Sequence, residues 1–306
     1  MSTSVCVVGS FMMDLVASAP RRPVSGETLV GTGFDTFLGG KGFNQAVSAA
    51  RADASTSFVG RLGDDDFGRQ FRAAMHREGI DADAVLSDRQ HGTGVGLPVV
   101  EPSGQNSIII VPRANHAMTV EQVEAAAPTI QAAAVLLLQL EIPVPAVAAA
   151  ARLARQAGTT VVLNPAPFAP CPPELLEQVD VLVPNEVELL ALSGGGAAGA
   201  ELLARQVHGK WGTDLVVTLG ARGALVLDGS GAASVVDGHT ARAVDTVGAG
   251  DVFCGNLGAR LAEGADLAEA VAYANAAAAL AVTRRGGAES APTRIEVMRT
   301  STAPPM

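Results

Sequence analysis

Short apolar runs alternate with longer segments whose apolar residues recur every three or four positions, over most of the chain. Val5–Gly9 is an apolar run that ends at Gly-Ser, the pattern of a buried strand. Lys41 to Arg51 has helical spacing, Ser57–Val59 reads as a strand, and Asp66 to Glu78 reads as a helix with acids in its first turn. Negative charge is favoured there by the helix dipole. Ala134–Leu140, Val161–Leu163, Val181–Val183 and Leu215–Leu219 are four further apolar runs, each followed by a helix candidate or a turn leading to one. Repeated strand-then-helix units predict a parallel sheet covered on both faces.

Two regions break the rhythm. Glu27 to Leu38 and Gly92 to Val111 alternate apolar and polar residues between Gly-rich turns. They are expected as antiparallel strands half exposed to water, forming a small second sheet over an active site. The exposed face of such a sheet invites pairing between two copies of the chain. Further on, Ala224–Leu227 and Ser234–Val236 predict a meander, followed by two Ala-rich helices near Ala249–Glu263 and Asp266–Thr283. No repeat or linker divides the chain, so residues 1–306 read as one domain, with lid strands from about 14–38 and 92–111. Thr300 to Met306 are expected to fray.

Composition narrows the partners. The chain has 306 residues, 48% of them apolar, enough for a large core packed through Ala, Val and Leu. Its formal net charge of −10 makes nucleic acid and anionic membranes poor partners. A polyanion can bind only where local N–H groups and a few cations outweigh that field, which points to Gly-rich loops and helix N-termini. Cys6, Cys171 and Cys254 are an odd count without paired spacing, expected as thiols in a reducing compartment. The N-terminus has no signal pattern, and the most apolar stretch, Ala133 to Ala151, is broken by Glu141, Pro143 and Pro145. A cytoplasmic location is expected.

Candidate chemistry starts with Asp245–Asp251, DTVGAGD. Two glycines around one alanine, directly before a helix, let backbone N–H groups converge on an anion and stabilise a transferring phosphoryl group. Asp251 at that helix start can take a proton from an attacking hydroxyl. The plainer alternative is an N-cap aspartate after a Gly loop. GGKGFN (Gly39–Asn44) opens another helix, with three glycines for close approach and Lys41 and Asn44 as donors. It is not a Walker A loop: Gly42 follows Lys41, and Asp35 stands where the first Gly would be. In PNEVE (Pro184–Glu188), Asn185 and Glu188 can share a helix face, suited to Mg²⁺ held through water or to nothing more than a capped helix. Thr218 to Gly223 carries a strand into a glycine turn with Arg222, either bordering nucleotide phosphates or forming a simple turn.

Taken together these residues resemble the ribokinase branch of the PfkB carbohydrate kinase family, from about Val5 to Pro292. GGKGFNQAVSAARADA (Gly39–Ala54) and DTVGAGDVFCG (Asp245–Gly255) match its two signatures. GSFMMD, QLE, LNPAP, PNEVE, VTLGARG and VTRRGGAES fall at the expected places. The resemblance implies a doubly wound α/β domain with a β-sheet lid, often shared in a dimer, and ATP-dependent phosphorylation of D-ribose at O5. Asp251 would be the base and Gly248, Ala249 and Gly250 the anion hole. Met12, Asp14, Gly40, Lys41, Asn44 and Glu141 fall at sugar-binding positions. Asn185, Thr218, Gly220, Arg222, Gly223, Gly250 and Asn275 match nucleotide-site positions, with Glu188 placing Mg²⁺. Asp245, Val247, Ala281, Arg284, Gly286 and Ser290 match a K⁺ site, mostly through backbone carbonyls. Many bacterial relatives have Asn where this chain has Met12, and a thioether cannot hold a sugar hydroxyl as an amide can. That leaves 2-deoxyribose as an alternative substrate. Arg113, where the family often has Gly, and Phe43, where it often has Ala, are smaller departures.

Three other readings compete. A PfkB-type kinase for a nucleoside needs a pocket for a base, less favoured with one Trp and one Tyr in the chain. A non-catalytic sugar-binding protein is disfavoured by Asp251 and both glycines of the anion hole. A dinucleotide-binding oxidoreductase is disfavoured because GSFMMD lacks G-x-G-x-x-G after the first strand. The five histidines are scattered without ligand spacing.

Overall fold

The computed structural model describes residues 3–102, 105–196 and 198–301. Its strands in chain order are β1 (Ser4–Val8), β2 (Met12–Ser18), β3 (Gly33–Gly39), β4 (Ser55–Gly63), β5 (Val85–Asp88), β6 (Gly94–Val100) and β7 (Asn106–Val111). Then follow β8 (Val135–Leu138), β9 (Thr160–Leu163), β10 (Val181–Leu182), β11 (Asp214–Thr218), β12 (Ala224–Leu227) and β13 (Ala233–Val236). Nine of them form one sheet in the order β13-β12-β11-β10-β9-β8-β1-β4-β5. All its pairs are parallel except β11–β12 and β12–β13, the expected meander. Chain order leads away from β1 in both directions, so the sheet is doubly wound, and its central strands are apolar on both faces because helices cover both.

The second sheet has the order β3-β2-β6-β7. Its outer pairs, β2–β3 and β6–β7, are antiparallel, but the central pair β2–β6 is parallel. The reason is positional. β2 leaves the C-terminal end of β1 and β6 follows β5, and these parents point the same way in the large sheet. Residues 20–32 are not strand: Pro23 and Gly26 (φ 80°) turn the chain, and Glu27 accepts from Arg21 and from the Val24 amide. The chain stays helical through Ser301, past the point where fraying was expected, and 302–306 lie outside the described residues.

The two departures from the family pattern have local causes. Arg113 has φ 47°, a left-handed conformation that favours Gly, and its guanidinium donates to Thr93 O at 3.0 Å. Phe43 is buried and meets Phe71 edge-on at 4.9 Å, in a cluster completed by Phe11 and Phe58.

What positions the site is the contact between helix Lys41–Arg51 and helix Ala249–Ala262. Gly255 lets them touch: a Cβ there would lie 2.4 Å from Gln45 O and 2.5 Å from Ser48 Cβ. Ser48 Oγ donates to Val252 O at 2.9 Å, and Asn256 Nδ2 donates to Ser48 Oγ at 2.8 Å. Gly255→Ala must push the helices apart, and is expected to lower stability by about 1–3 kcal/mol. Urea titration measures that loss, and turnover is expected to fall with it.

Candidate active site

Asp251 stands in the first turn of helix Ala249–Ala262, whose N-cap is Gly248 at φ 75°. A Cβ on Gly248 would lie 2.7 Å from Gly287 Cα, so only Gly fits this turn. Val252 N donates to Gly248 O at 2.8 Å, so the Gly250 and Asp251 amides before it have no carbonyl in their own helix to meet. Gly250 has open space where a side chain would stand, so this first turn opens to a bound group. Asp251 is not a plain cap. It is 5% exposed and turned inward, where Asn44 Nδ2 donates to Oδ2 at 3.0 Å and Gln45 Nε2 to Oδ1 at 3.3 Å. Asn44 Oδ1 is buried without a protein partner, free to accept from a ligand hydroxyl.

A second carboxylate, Asp14, projects from β2 toward the same region. Burial, then the neighbouring Glu141, Glu289 and Asp251 carboxylates, push it from 3.8 up to about 7. Glu141 Oε2 accepts from Ser10 Oγ at 2.5 Å and from Lys41 N at 2.8 Å, tying β1's end to the helix start. The Lys41 ammonium is the cation among these acids. Asp251, with lesser help from Glu141 and Glu188, holds it above its ordinary value against the effect of burial.

Two cavities lie in this region and share Thr246 in their walls. One, of about 230 Å³, is lined by Lys41, Asn164, Asn185, Glu188, Thr218 and Asp251 among others, with Gly248 and Gly250 in its wall. The other, of about 380 Å³, lies between the small sheet and the 243–247 and 285–287 loops, and includes Asp14, Asp245, Val247 and Gly286. Asn185 and Glu188 form a reciprocal capping box: Asn185 N donates to Glu188 Oε2 at 2.8 Å and Glu188 N to Asn185 Oδ1 at 2.8 Å. The plain capped-helix reading is therefore present, on a helix start that also faces the cavity. Burial raises Glu188.

Other candidate positions lie further out. Arg222 pairs with Glu186 on the surface, beside the Gly220–Arg222 turn that Gly223 closes at φ 94°. Asn275 is engaged by its own fold, its amide donating to Val236 O at 3.1 Å and Asp237 O at 3.3 Å. Met12 is 3% exposed, with its sulfur packed over Gly94. Gly40 has φ 93° and leaves room for the backbone at Met12. Asp245 Oδ1 accepts from Val247 N at 3.0 Å and Oδ2 from Gly286 N at 3.1 Å. Ala281 O accepts from Arg284 N at 3.0 Å, Arg284 also pairs with Glu296, and Ser290 Oγ donates to Gly287 O at 2.7 Å. These bonds fold the two loops together beneath Gly248. Ser10, Gln45, Gln139 and Glu289 were not singled out from the sequence. All four sit inside the quoted motifs, but only the packing brings them to the carboxylates.

A buried carboxylate, an open helix start and a lysine lining one cavity are the arrangement a sugar kinase needs, and the fold and site define an ATP-dependent enzyme of that class. The sequence matches the pfkB family carbohydrate kinase profile over residues 2–294, and the chain belongs to that family. It is 37% identical to a ribokinase of Haemophilus influenzae over 301 residues, spanning 97% of this chain and 98% of that protein. It is 32% identical to a deoxyribokinase of Salmonella typhi, over 94% of this chain and 95% of that one. The structure of Arabidopsis thaliana ribokinase complexed with ribose and ATP superposes with a TM-score of 0.90 at 33% identity, covering 99% of this chain and 100% of that one.

The raised Asp14 sets a pH dependence. Its folded value of about 7 lies above the unfolded one, so the native state holds the extra proton between them. Stability of the ligand-free protein is therefore full below about pH 4 as far as Asp14 is concerned, and falls as pH rises through about 7. Denaturant titrations from pH 5 to 8 are expected to show this fall, and Asp14→Asn to flatten it.

Proposed function

We propose that the protein transfers the γ-phosphoryl group of ATP to O5 of D-ribose, with Asp251 as general base. The observation that carries this is the buried Asp251 carboxylate, held by Asn44 and Gln45 beside the open N-terminal turn of its own helix. In this reading Asp14 and Asn44 accept and donate to ribose hydroxyls, with Gly40, Lys41 and Glu141 completing the sugar side. Asp251 takes the O5 proton as the hydroxyl attacks. The amides from Gly248 to Gly250 and the Lys41 ammonium face the charge that develops on the phosphoryl oxygens. Asn185, Thr218, Gly220, Arg222, Gly223 and Asn275 border the nucleotide.

Two cations fit the donors present. Glu188 keeps Oε1 outside the bonds of its capping box, an oxygen suited to Mg²⁺ held through water, which would neutralise phosphate charge. Asp245 and the carbonyls of Val247, Ala281, Arg284, Gly286 and Ser290 are hard oxygen donors suited to K⁺. The ion would stiffen the loops already joined by Asp245 and touch neither substrate.

The reading extends to assembly and place. We assign a homodimer formed through the outer lid face, where Phe34, Leu97 and Ile109 stand exposed on the side away from the cavity. A cytoplasmic location accords with three free thiols. Among the described residues no helix is long and apolar enough to cross a membrane. A second substrate is favoured by one observation: Met12 puts a buried apolar wall two residues before Asp14, where no hydroxyl is rewarded. 2-Deoxyribose is then accepted alongside ribose.

Asp251→Asn is expected to lower kcat by about 10²–10⁴ while leaving sugar binding measurable by calorimetry. An Asp251→Asn enzyme at full speed would end this reading. Met12→Asn should shift the kcat/KM ratio toward ribose over 2-deoxyribose, and an unmoved ratio removes Met12 from the account. Replacing Na⁺ by K⁺ in the assay is expected to raise turnover.

A further inference from the structure

Behind Asp251 runs a line of two side-chain amides to which the proposed reaction gives no chemical step. Gln139, directly after β8, donates through Nε2 to Gln45 Oε1 at 2.6 Å. Gln45 Nε2 donates to Asp251 Oδ1 at 3.3 Å. Both glutamines are 1% exposed, so neither amide trades its bond for water. Ordering two long side chains inside a core is unfavourable, and leaving a buried amide oxygen unmatched is more so. Yet Gln139 Oε1 has no partner.

The orientation follows from the end that matters. An ionised Asp251 only accepts, so Gln45 must turn its NH₂ toward it and its oxygen away. That oxygen then requires the NH₂ of Gln139, which leaves Gln139 Oε1 as the end of the line. It is seated against Gly9, where a Cβ would lie 2.3 Å from it. Asn44 holds the other oxygen, Oδ2, so each oxygen of the carboxylate has one fixed donor from the same helix. The final torsion of a carboxylate is otherwise broad, and two donors on separate oxygens set its plane.

We propose that Gln45 and Gln139 are positioning residues for the reaction, acting in series to fix the plane of the Asp251 carboxylate toward the attacking hydroxyl. This rests on Asp251 being the base. Neither glutamine touches substrate. Lys41, Asp14, Glu141, Glu188 and Cys254 also surround Asp251, but none supplies a second donor to Oδ1.

The test is single-turnover phosphoryl transfer to ribose by Gln45→Met, Gln139→Met, the double variant and Gln139→Glu, with thermal melts to normalise to folded enzyme. Met keeps the volume and removes the amide. The expected result is a rate lowered about tenfold to a hundredfold in each single variant, with KM for ribose and ATP unchanged. The double variant is expected to be no slower than Gln45→Met, because the two act through one carboxylate. Gln139→Glu is nearly isosteric but cannot donate when ionised. It turns Gln45 around, setting an amide oxygen against Asp251, and should be at least as slow as Gln139→Met. Wild-type rates in the glutamine variants, with Asp251→Asn still slowed by about 10²–10⁴, would overturn the relay and leave the base in place. Additive losses in the double variant, or losses in KM alone, would also overturn it. An Asp251→Asn enzyme at full speed would instead overturn the reading beneath it.

Discussion

The contact between helix Lys41–Arg51 and helix Ala249–Ala262 is the constraint on which the site depends. At Gly255 the second helix has no side chain, and the backbone of the first comes close enough for Ser48 and Asn256 to bond across. That approach brings Asn44 and Gln45 within reach of Asp251, residues more than two hundred positions away in the chain. A bulkier residue at the crossing would carry the carboxylate away from its donors. The same helix, through Glu141 and the Lys41 amide, is fixed to the end of β8 and β1, so base, lysine and sheet move as one body.

A strongly acidic protein that handles a polyanion must solve an electrostatic problem locally. Asp14, Glu141, Asp251 and Glu289 crowd together, and burial, with the repulsion of the other three carboxylates, is what lifts Asp14. Lys41 is the compensating cation, and its charge is favoured chiefly by Asp251, then by Glu141 and Glu188. At the first turn of helix Ala249–Ala262 the protein offers main-chain N–H groups in place of more basic residues. These carry no net charge to add to the cluster, and they are already oriented by the helix. The Asp245 loop shares this economy: its carboxylate is bonded to the Val247 and Gly286 amides, which joins the 243–247 and 285–287 loops beside Gly248.

The lid shows where local pattern reaches its limit. Alternation in Gly92 to Val111 found β6 and β7, and the Gly-rich segment ending at Leu38 found β3. The parallel pairing of β2 with β6 was hidden, because it joins segments some eighty residues apart whose direction is set by the parent strands β1 and β5. Arg113 stood as an unexplained departure in the sequence, and the structure shows its backbone in the left-handed region that favours glycine. Asn185 and Glu188 show the reverse: spacing suggested either a cap or a metal contact, and the fold uses both atoms in the cap while turning the helix start toward the cavity.

The sequence by itself determined the alternating strands and helices and the glycines of the two signature loops, and it pointed to Asp251 as the candidate base, because these follow from local periodicity and from motifs a few residues long. Only the tertiary structure decided which side chains stand around Asp251. Gln45 and Gln139 are ordinary amide residues in the sequence. Their meaning comes from distances between segments far apart in the chain, which helix crossing and sheet order impose and which no local pattern records.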